Sequence, residues 1–278
     1  MDRSIARPIT LEELLGTAEC PKSYRDLPLH GLCQDSRRVE PQDLFFALSG
    51  SKTSGLNFID EAVSRGASAI AVDKSLFESI PYPPVPIIPV DNLRGSLAEL
   101  ASKFYRKPSE RLHISAVTGT NGKTSCCWLL SDLVNRLGTK TGYIGTLGYG
   151  TQAGGSSFHN SVQETNLTTP DPISLQKILS GFAEQGVEMV ALEASSHALV
   201  QGRLDGIDIN DAVFTNLSRD HLDYHLDMAS YGEAKALLFK KSSVTVAVFN
   251  LDDAFSQTLM TATELDAEQI TYSLDNPS

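Results

Sequence analysis

No apolar run in the sequence approaches the roughly 20 residues needed to cross a bilayer as a helix. The opening Met1-Asp2-Arg3-Ser4 leads into a polar stretch and not into the apolar segment of a secretory signal. A cytoplasmic protein without membrane insertion is therefore expected. Cysteine is scarce, with four in 278 residues. Cys20 and Cys33 stand alone, Cys126 and Cys127 are neighbours, and none has metal-ligand spacing, which leaves no zinc motif and no disulfide framework. Basic residues are also in deficit, 23 against 34 acidic ones, for a net charge of −11. Broad nucleic-acid binding needs a basic surface and is excluded as an expectation. Anionic small ligands are still open to the chain through local lysines, helix N-termini and metal ions.

What is present is an ordinary globular composition, 41% hydrophobic and 21% charged, with a change of rhythm midway. The first hundred residues read as short α and β pieces. Thr10 and Glu13 predict a capping box on a helix through Leu15. Strands are expected at 43–48, 68–72 and 85–90, with one helix capped by Asn57 and running to Arg65 and another at 93–105. Ile80-Pro81-Tyr82-Pro83-Pro84 can be neither helix nor central strand. Pro108-Ser109 marks a boundary, giving expected domains of 1–108 and 109–278.

Beyond it, strands at 114–118, 141–144, 187–192, 212–216 and 244–249 alternate with helices at 123–137, 172–185 and 231–240. Alternation of this kind predicts a mostly parallel sheet with helices on both faces. The expected fold class is thus α/β: a small N-terminal α/β domain, then a P-loop domain with a mostly parallel sheet. Ligands of such sheets gather at the carboxyl ends of the strands.

Polar motifs fall at those ends. Thr118-Gly119-Thr120-Asn121-Gly122-Lys123-Thr124 joins a strand to a helix. Backbone N–H groups of such a loop cradle phosphate, Lys123 reaches the β- and γ-phosphates, and Thr124 offers its hydroxyl to Mg²⁺. The usual pattern has a glycine at 117, where this chain has Val117, so the match is to a compact variant with Gly119 and Gly122. Glu193, in Leu192-Glu193-Ala194-Ser195-Ser196-His197, is a carboxylate placed to hold the nucleotide's Mg²⁺. Gln201 and Arg203 can grip a phosphate or carboxylate. A run from Asn216 to His225 carries Asp220, His221 and Asp223, any of which can ligate a metal. In the first domain Asp35-Ser36-Arg37, Asp43-Leu44-Phe45 and Gly50-Ser51-Lys52-Thr53-Ser54-Gly55 are turn-forming motifs.

Together with Leu167-Thr168-Thr169-Pro170 and Ser195-Ser196-His197-Ala198-Leu199, these motifs resemble the Mur ligases of peptidoglycan synthesis along the whole chain. Within that family the similarity is to the type that adds the third amino acid to UDP-N-acetylmuramoyl-L-Ala-D-Glu. The resemblance implies an ATP-dependent ligase working through an acyl phosphate, with ATP and Mg²⁺ as cofactors and diaminopimelate or lysine as the incoming amino acid. It implies Gly119, Thr120, Asn121, Gly122, Lys123, Thr124 and Asn250 at ATP. Ser36 is implied at the uridine nucleotide, and Thr168, Thr169, Ser195, Gln201 and Arg203 at the muramoyl part. Thr124, Glu193, His221 and a carbamylated Lys235 are implied at magnesium, with Lys123, His221 and Lys235 catalytic. Mur ligases have three domains, so the resemblance implies an absent third domain and a truncated chain ending inside the ATPase domain, inactive by itself. The alternatives are a non-catalytic nucleotide-binding remnant and a folylpolyglutamate-type ligase, the second disfavoured by the first-domain motifs.

Overall fold

The computed structural model describes residues 8–17, 20–50, 53–80, 83–154, 162–165, 167–262 and 266–274. Residues 1–4, 51–52 and 81–82, which the sequence motifs above include, lie outside that set. The chain divides into two compact units, Met1–Arg106 and Lys107–Ser278.

The first unit opens with β1 (Ile9–Thr10) and α1 (Leu11–Leu15). The Thr10 hydroxyl accepts from the Glu13 N–H at 3.1 Å, and the Glu13 carboxylate accepts from the Thr10 N–H at 2.9 Å. The expected capping box is therefore built on both sides. β2 (Pro28–Leu29) pairs antiparallel with β1. A parallel sheet follows from β3 (Gly31–Cys33), β4 (Asp43–Phe46), β5 (Ala69–Asp73) and β6 (Ile87–Val90), in that order. Phe45, Ile70 and Val72 of this sheet pack with Ile59 and Ala62 of α2 (Ile59–Ser64). The expected cap at Asn57 is corrected here: Ser54 caps a 3-10 turn at Gly55–Phe58, which delays α2 by one residue. α3 (Leu93–Phe104) closes the unit, buried through Leu93, Leu97, Ala98, Ala101 and Phe104.

The second unit is a seven-stranded sheet among the described residues. Its elements run β7 (His113–Thr118), α4 (Lys123–Arg136), β8 (Thr141–Gly145), β9 (Gly148–Gln152), α5 (Pro172–Glu184) and β10 (Met189–Glu193). They continue with α6 (Ser196–Val200), β11 (Asp211–Phe214), α7 (Leu222–His225) and α8 (Met228–Ala236). β12 (Val246–Asn250), α9 (Ala254–Ala262) and β13 (Glu268–Tyr272) complete the unit. The sheet order is β13-β12-β11-β7-β10-β8-β9, parallel except for the β8–β9 hairpin.

The central strands β7, β8 and β10 are almost wholly buried, as a sheet covered on both faces requires. From β10 the chain crosses to the other side of β7, where β11 starts the second half of the sheet. Strand order reverses at β7, so the crevice at its carboxyl end is the natural ligand site. Two corrections concern boundaries. The helix expected from Tyr231 starts at Met228, because the Asp227 carboxylate caps the Ser230 N–H at 2.8 Å, and it ends at Ala236. β9 and β13 were not expected: β9 is glycine-rich, and β13 is an edge strand exposed at every position.

Candidate active site

The loop after β7 makes its turn with Gly119 at φ 147° and Gly122 at φ 85°. A side chain at Gly119 would meet the Thr215 hydroxyl at 1.9 Å, so only glycine allows that approach of loop to β11. Lys123, the first residue of α4, folds back and donates to the carbonyls of Gly119 and Thr120, both at 2.8 Å. Burial lowers its pKa, while the carboxylates of Glu193 and Asp220 act in the opposite direction. Among the described residues the ammonium is thus bonded, inside its own loop, only to neutral carbonyls that a phosphate oxygen can replace.

Glu193, at the end of β10, is completely buried. Its carboxylate accepts from the Tyr143 hydroxyl at 2.6 Å, the Thr146 N–H at 3.0 Å, the Thr146 hydroxyl at 3.1 Å and the Thr124 hydroxyl at 3.0 Å. Four donors make the burial of this carboxylate tolerable. Burial, and then the carboxylate beside it, push the Tyr143 phenol far above its ordinary range. Tyr143 therefore stays a proton donor to Glu193.

Lys235 on α8 is 1% exposed. Its ammonium stands over the Tyr231 ring, 4.2 Å from the centroid. Burial first, then the charge of Lys123, lower its pKa to about 7, and Asp220 opposes them. Burial raises the pKa of the Tyr231 phenol, and Thr120 of the glycine loop acts in the opposite direction. His221 precedes α7 in the left-handed region, at φ 51°, with its ring 5.1 Å from that of His197. The His197 ring lies tilted against that of Tyr224, centroids 4.1 Å apart, and its pKa is lowered by burial. The buried His225 bonds the Ser196 hydroxyl through Nε2 at 2.9 Å.

Lys123, Glu193, Thr146, His221, Tyr231 and Lys235 border one polar cleft of about 270 Å³. Of the residues expected at a site, Thr120, Asn121, Gly122, Lys123, Thr124, Thr168, Glu193, Ser195, His221 and Lys235 line it. Thr168 reaches it through the Thr146 hydroxyl at 3.2 Å. Thr169, Gln201 and Arg203 do not line the cleft; Thr169 is bonded to its wall, and Arg203 links Thr169 to Gln201. The Thr169 hydroxyl donates to the Glu193 carbonyl at 2.7 Å and accepts from the Ser195 N–H at 3.1 Å. Arg203 donates to the Thr169 carbonyl at 2.7 Å and to the Gln201 side chain at 2.6 and 3.0 Å, and Gln201 donates to the Tyr224 hydroxyl at 3.3 Å.

Two expected site residues are placed elsewhere. Asn250 ends β12 outside the cleft lining, where its amide donates to the Thr215 carbonyl at 2.8 Å. Ser36 belongs to the first unit, is 6% exposed, and donates to the Glu61 carboxylate at 2.5 Å. Beside it Arg37 and Asp35 form a paired contact at 2.8 and 2.9 Å.

Sequence reasoning missed Tyr143, Thr146, Ser196 and Tyr231. Thr146 follows a predicted strand, and the rule that sites gather at strand ends could have found it. Tyr143 lies inside an apolar strand, where a hydroxyl gives no such signal.

Among the described residues no three His, Cys, Asp or Glu side chains converge as a ready metal site. One carboxylate and one hydroxyl beside a phosphate loop nevertheless suit Mg²⁺. That ion takes one or two protein ligands and completes its shell with water and phosphate oxygens.

Comparison with known proteins accords with this geometry. The Mur ligase middle domain matches residues 117–278, and the Mur ligase family catalytic domain matches residues 28–105. UDP-N-acetylmuramoyl-L-alanyl-D-glutamate--2,6-diaminopimelate ligase of Ectopseudomonas mendocina (strain ymp) is 42% identical over 271 residues, covering 98% of this chain and 53% of that protein. The ligase of the same name from Pseudomonas aeruginosa is 41% identical with the same coverage. A solved structure of a ligase of that name superposes with a TM-score of 0.79 at 33% identity, over 98% of this chain and 53% of that one. MurF from Acinetobacter baumannii shares the fold at a TM-score of 0.66 and 18% identity, over 96% of this chain and 53% of its own. The chain spans about half the length of the curated relatives it matches. With a family domain matched over more than half of its residues, this chain belongs to the Mur ligase family.

Proposed function

We propose that this chain carries the nucleotide and uridine-linked substrate sites of an ATP-dependent ligase of peptidoglycan synthesis. The ligase extends UDP-N-acetylmuramoyl-L-alanyl-D-glutamate by one amino acid. The names of the relatives support 2,6-diaminopimelate as that amino acid. One observation carries the reading: Lys123, the Thr124–Glu193 pair, His221 and Lys235 face a single cleft at the strand-order switch.

A carboxylate becomes electrophilic toward an amine only when one oxygen is made a leaving group. ATP supplies that activation by transferring its terminal phosphoryl group to the substrate carboxylate. The glycine loop holds the phosphates, and Lys123 follows the moving phosphoryl charge. Thr124, Glu193 and His221 would hold magnesium, which when bound would neutralise phosphate charge. Near neutrality a large share of Lys235 is the free amine, the form that adds to CO₂. The N–C bond forms, a proton leaves to solvent, and the resulting carbamate turns a buried cation into an oxygen ligand. Ser195, Thr168, Thr169, Gln201 and Arg203 orient the muramoyl peptide, and Ser36 in the first unit contacts the uridine nucleotide.

Titration of the 278-residue chain with the UDP-linked dipeptide, and with uridine diphosphate alone, tests the substrate assignment. Saturable binding of both is expected, tighter for the dipeptide. Absence of saturable binding for either at millimolar concentration overturns it.

A further inference from the structure

We infer that Asn216 is a positioning residue for the phosphate loop, acting through the backbone of Asn121. The inference rests on the nucleotide site proposed above. The Asn216 side chain accepts from the Asn121 N–H at 3.0 Å and donates to the Asn121 carbonyl at 3.1 Å. One side-chain amide thus pairs with both peptide groups of a single loop residue, as a neighbouring strand would. The Asn216 carbonyl also accepts from the Thr120 N–H at 2.8 Å. On either side, the Thr215 hydroxyl donates to the Asn121 carbonyl at 2.7 Å, and the Ser218 N–H donates to the Thr120 hydroxyl at 2.9 Å. The loop between Gly119 and Gly122 has left-handed backbone at both ends and is held in shape by this segment.

The segment is itself anchored. Asp253 accepts from the Leu217 N–H at 2.8 Å, and Asn250 donates to the Thr215 carbonyl at 2.8 Å. Asn250 therefore supports the segment that shapes the loop. Five residues beyond Asn216 the same segment reaches His221 on the cleft wall. Phosphate loop and His221 thus hang from one short stretch of backbone, fixed by the amide of Asn216.

Asn216→Asp is the discriminating variant. It keeps size and the acceptor for the Asn121 N–H, but sets an oxygen against the Asn121 carbonyl in place of a donor. Binding of ADP and of AMP, each with Mg²⁺, is measured by titration on the wild-type chain, Asn216→Asp and Asn216→Ala, beside their melting temperatures. The wild type is expected to bind ADP more tightly than AMP, because the added phosphate lies in the loop. Both variants are expected to lose about tenfold or more of the ADP affinity. Their AMP affinity and melting temperature are expected to stay at wild-type values. Unchanged ADP affinity in the variants overturns the inference while leaving the nucleotide reading intact. Equal loss for ADP and AMP together with a fall in melting temperature also overturns it, since that marks a residue that only supports the fold. Failure of the wild type to bind ADP removes both the inference and the nucleotide reading.

Discussion

The Thr124 hydroxyl donates to the Glu193 carboxylate at 3.0 Å, joining the first turn of the phosphate-loop helix to the end of a strand 69 residues later. That bond places a buried anion beside the loop that receives nucleotide. Glu193→Gln keeps the shape but removes the charge, and one of its amide faces must oppose a donor. A stability loss of about 1–3 kcal/mol is expected. The difference in ADP affinity with and without Mg²⁺ should largely vanish in the variant, as read by titration in magnesium and in chelator. A variant with undiminished magnesium dependence contradicts the metal role.

Lys235 gives stability a pH signature. Its folded pKa is about 7, while an unfolded lysine titrates near 10.4. Between those values the unfolded chain holds the extra proton, so stability rises with pH; below about 7 both states are protonated and the contribution is flat. Lys235→Met lacks this buried charge. In CO₂-free buffer it should exceed the wild type by on the order of a few kcal/mol at pH 7 or below. The advantage should fade as pH approaches 10, as followed by urea unfolding. A difference that does not vary with pH contradicts the assignment.

Arg203 holds the Thr169 carbonyl with one nitrogen and the Gln201 side chain with two others. Lysine has charge but no fork. Arg203→Lys should therefore weaken the UDP-linked dipeptide by about tenfold, and Arg203→Ala by more, with ADP affinity unchanged. Equal affinity of the dipeptide for Arg203→Lys and the wild type removes the paired geometry from the account.

Leu226 is 87% exposed at φ 62°. A leucine in that region is strained, and its side chain buries little in return. Leu226→Gly should stabilise the chain by about 1 kcal/mol, and Leu226→Val should destabilise it, both measured by thermal unfolding. A lower melting temperature for the glycine variant contradicts the strain.

What the sequence made legible was local. The Thr10–Glu13 box, the Asp171-Pro172 start of α5 and the glycine loop before α4 each announce themselves within a few neighbouring residues. The alternation of strands and helices was enough to place Glu193 and Lys123 at one edge of a parallel sheet. Pairings across the chain were not legible. Tyr143 reads as one more strand residue until Glu193, 50 positions later, accepts its hydrogen bond. Asn216 reads as the end of a strand, and its hold on Asn121 depends on β11 lying beside β7. β13 escaped because an edge strand exposed at every position has no buried face to impose alternation. β9 escaped because Gly148 and Gly150 remove side chains from the pattern that reveals strands.

The central claim is that the cleft receives nucleotide phosphate at Lys123. Its most direct test is titration of MgADP into the wild-type chain and Lys123→Ala, with circular dichroism of both. Among the described residues Lys123 bonds only to loop carbonyls, so its removal should leave the fold intact. The account predicts saturable binding by the wild type and a loss of about 100-fold in the variant, with matching spectra. Equal ADP affinity for the two folded proteins would contradict it.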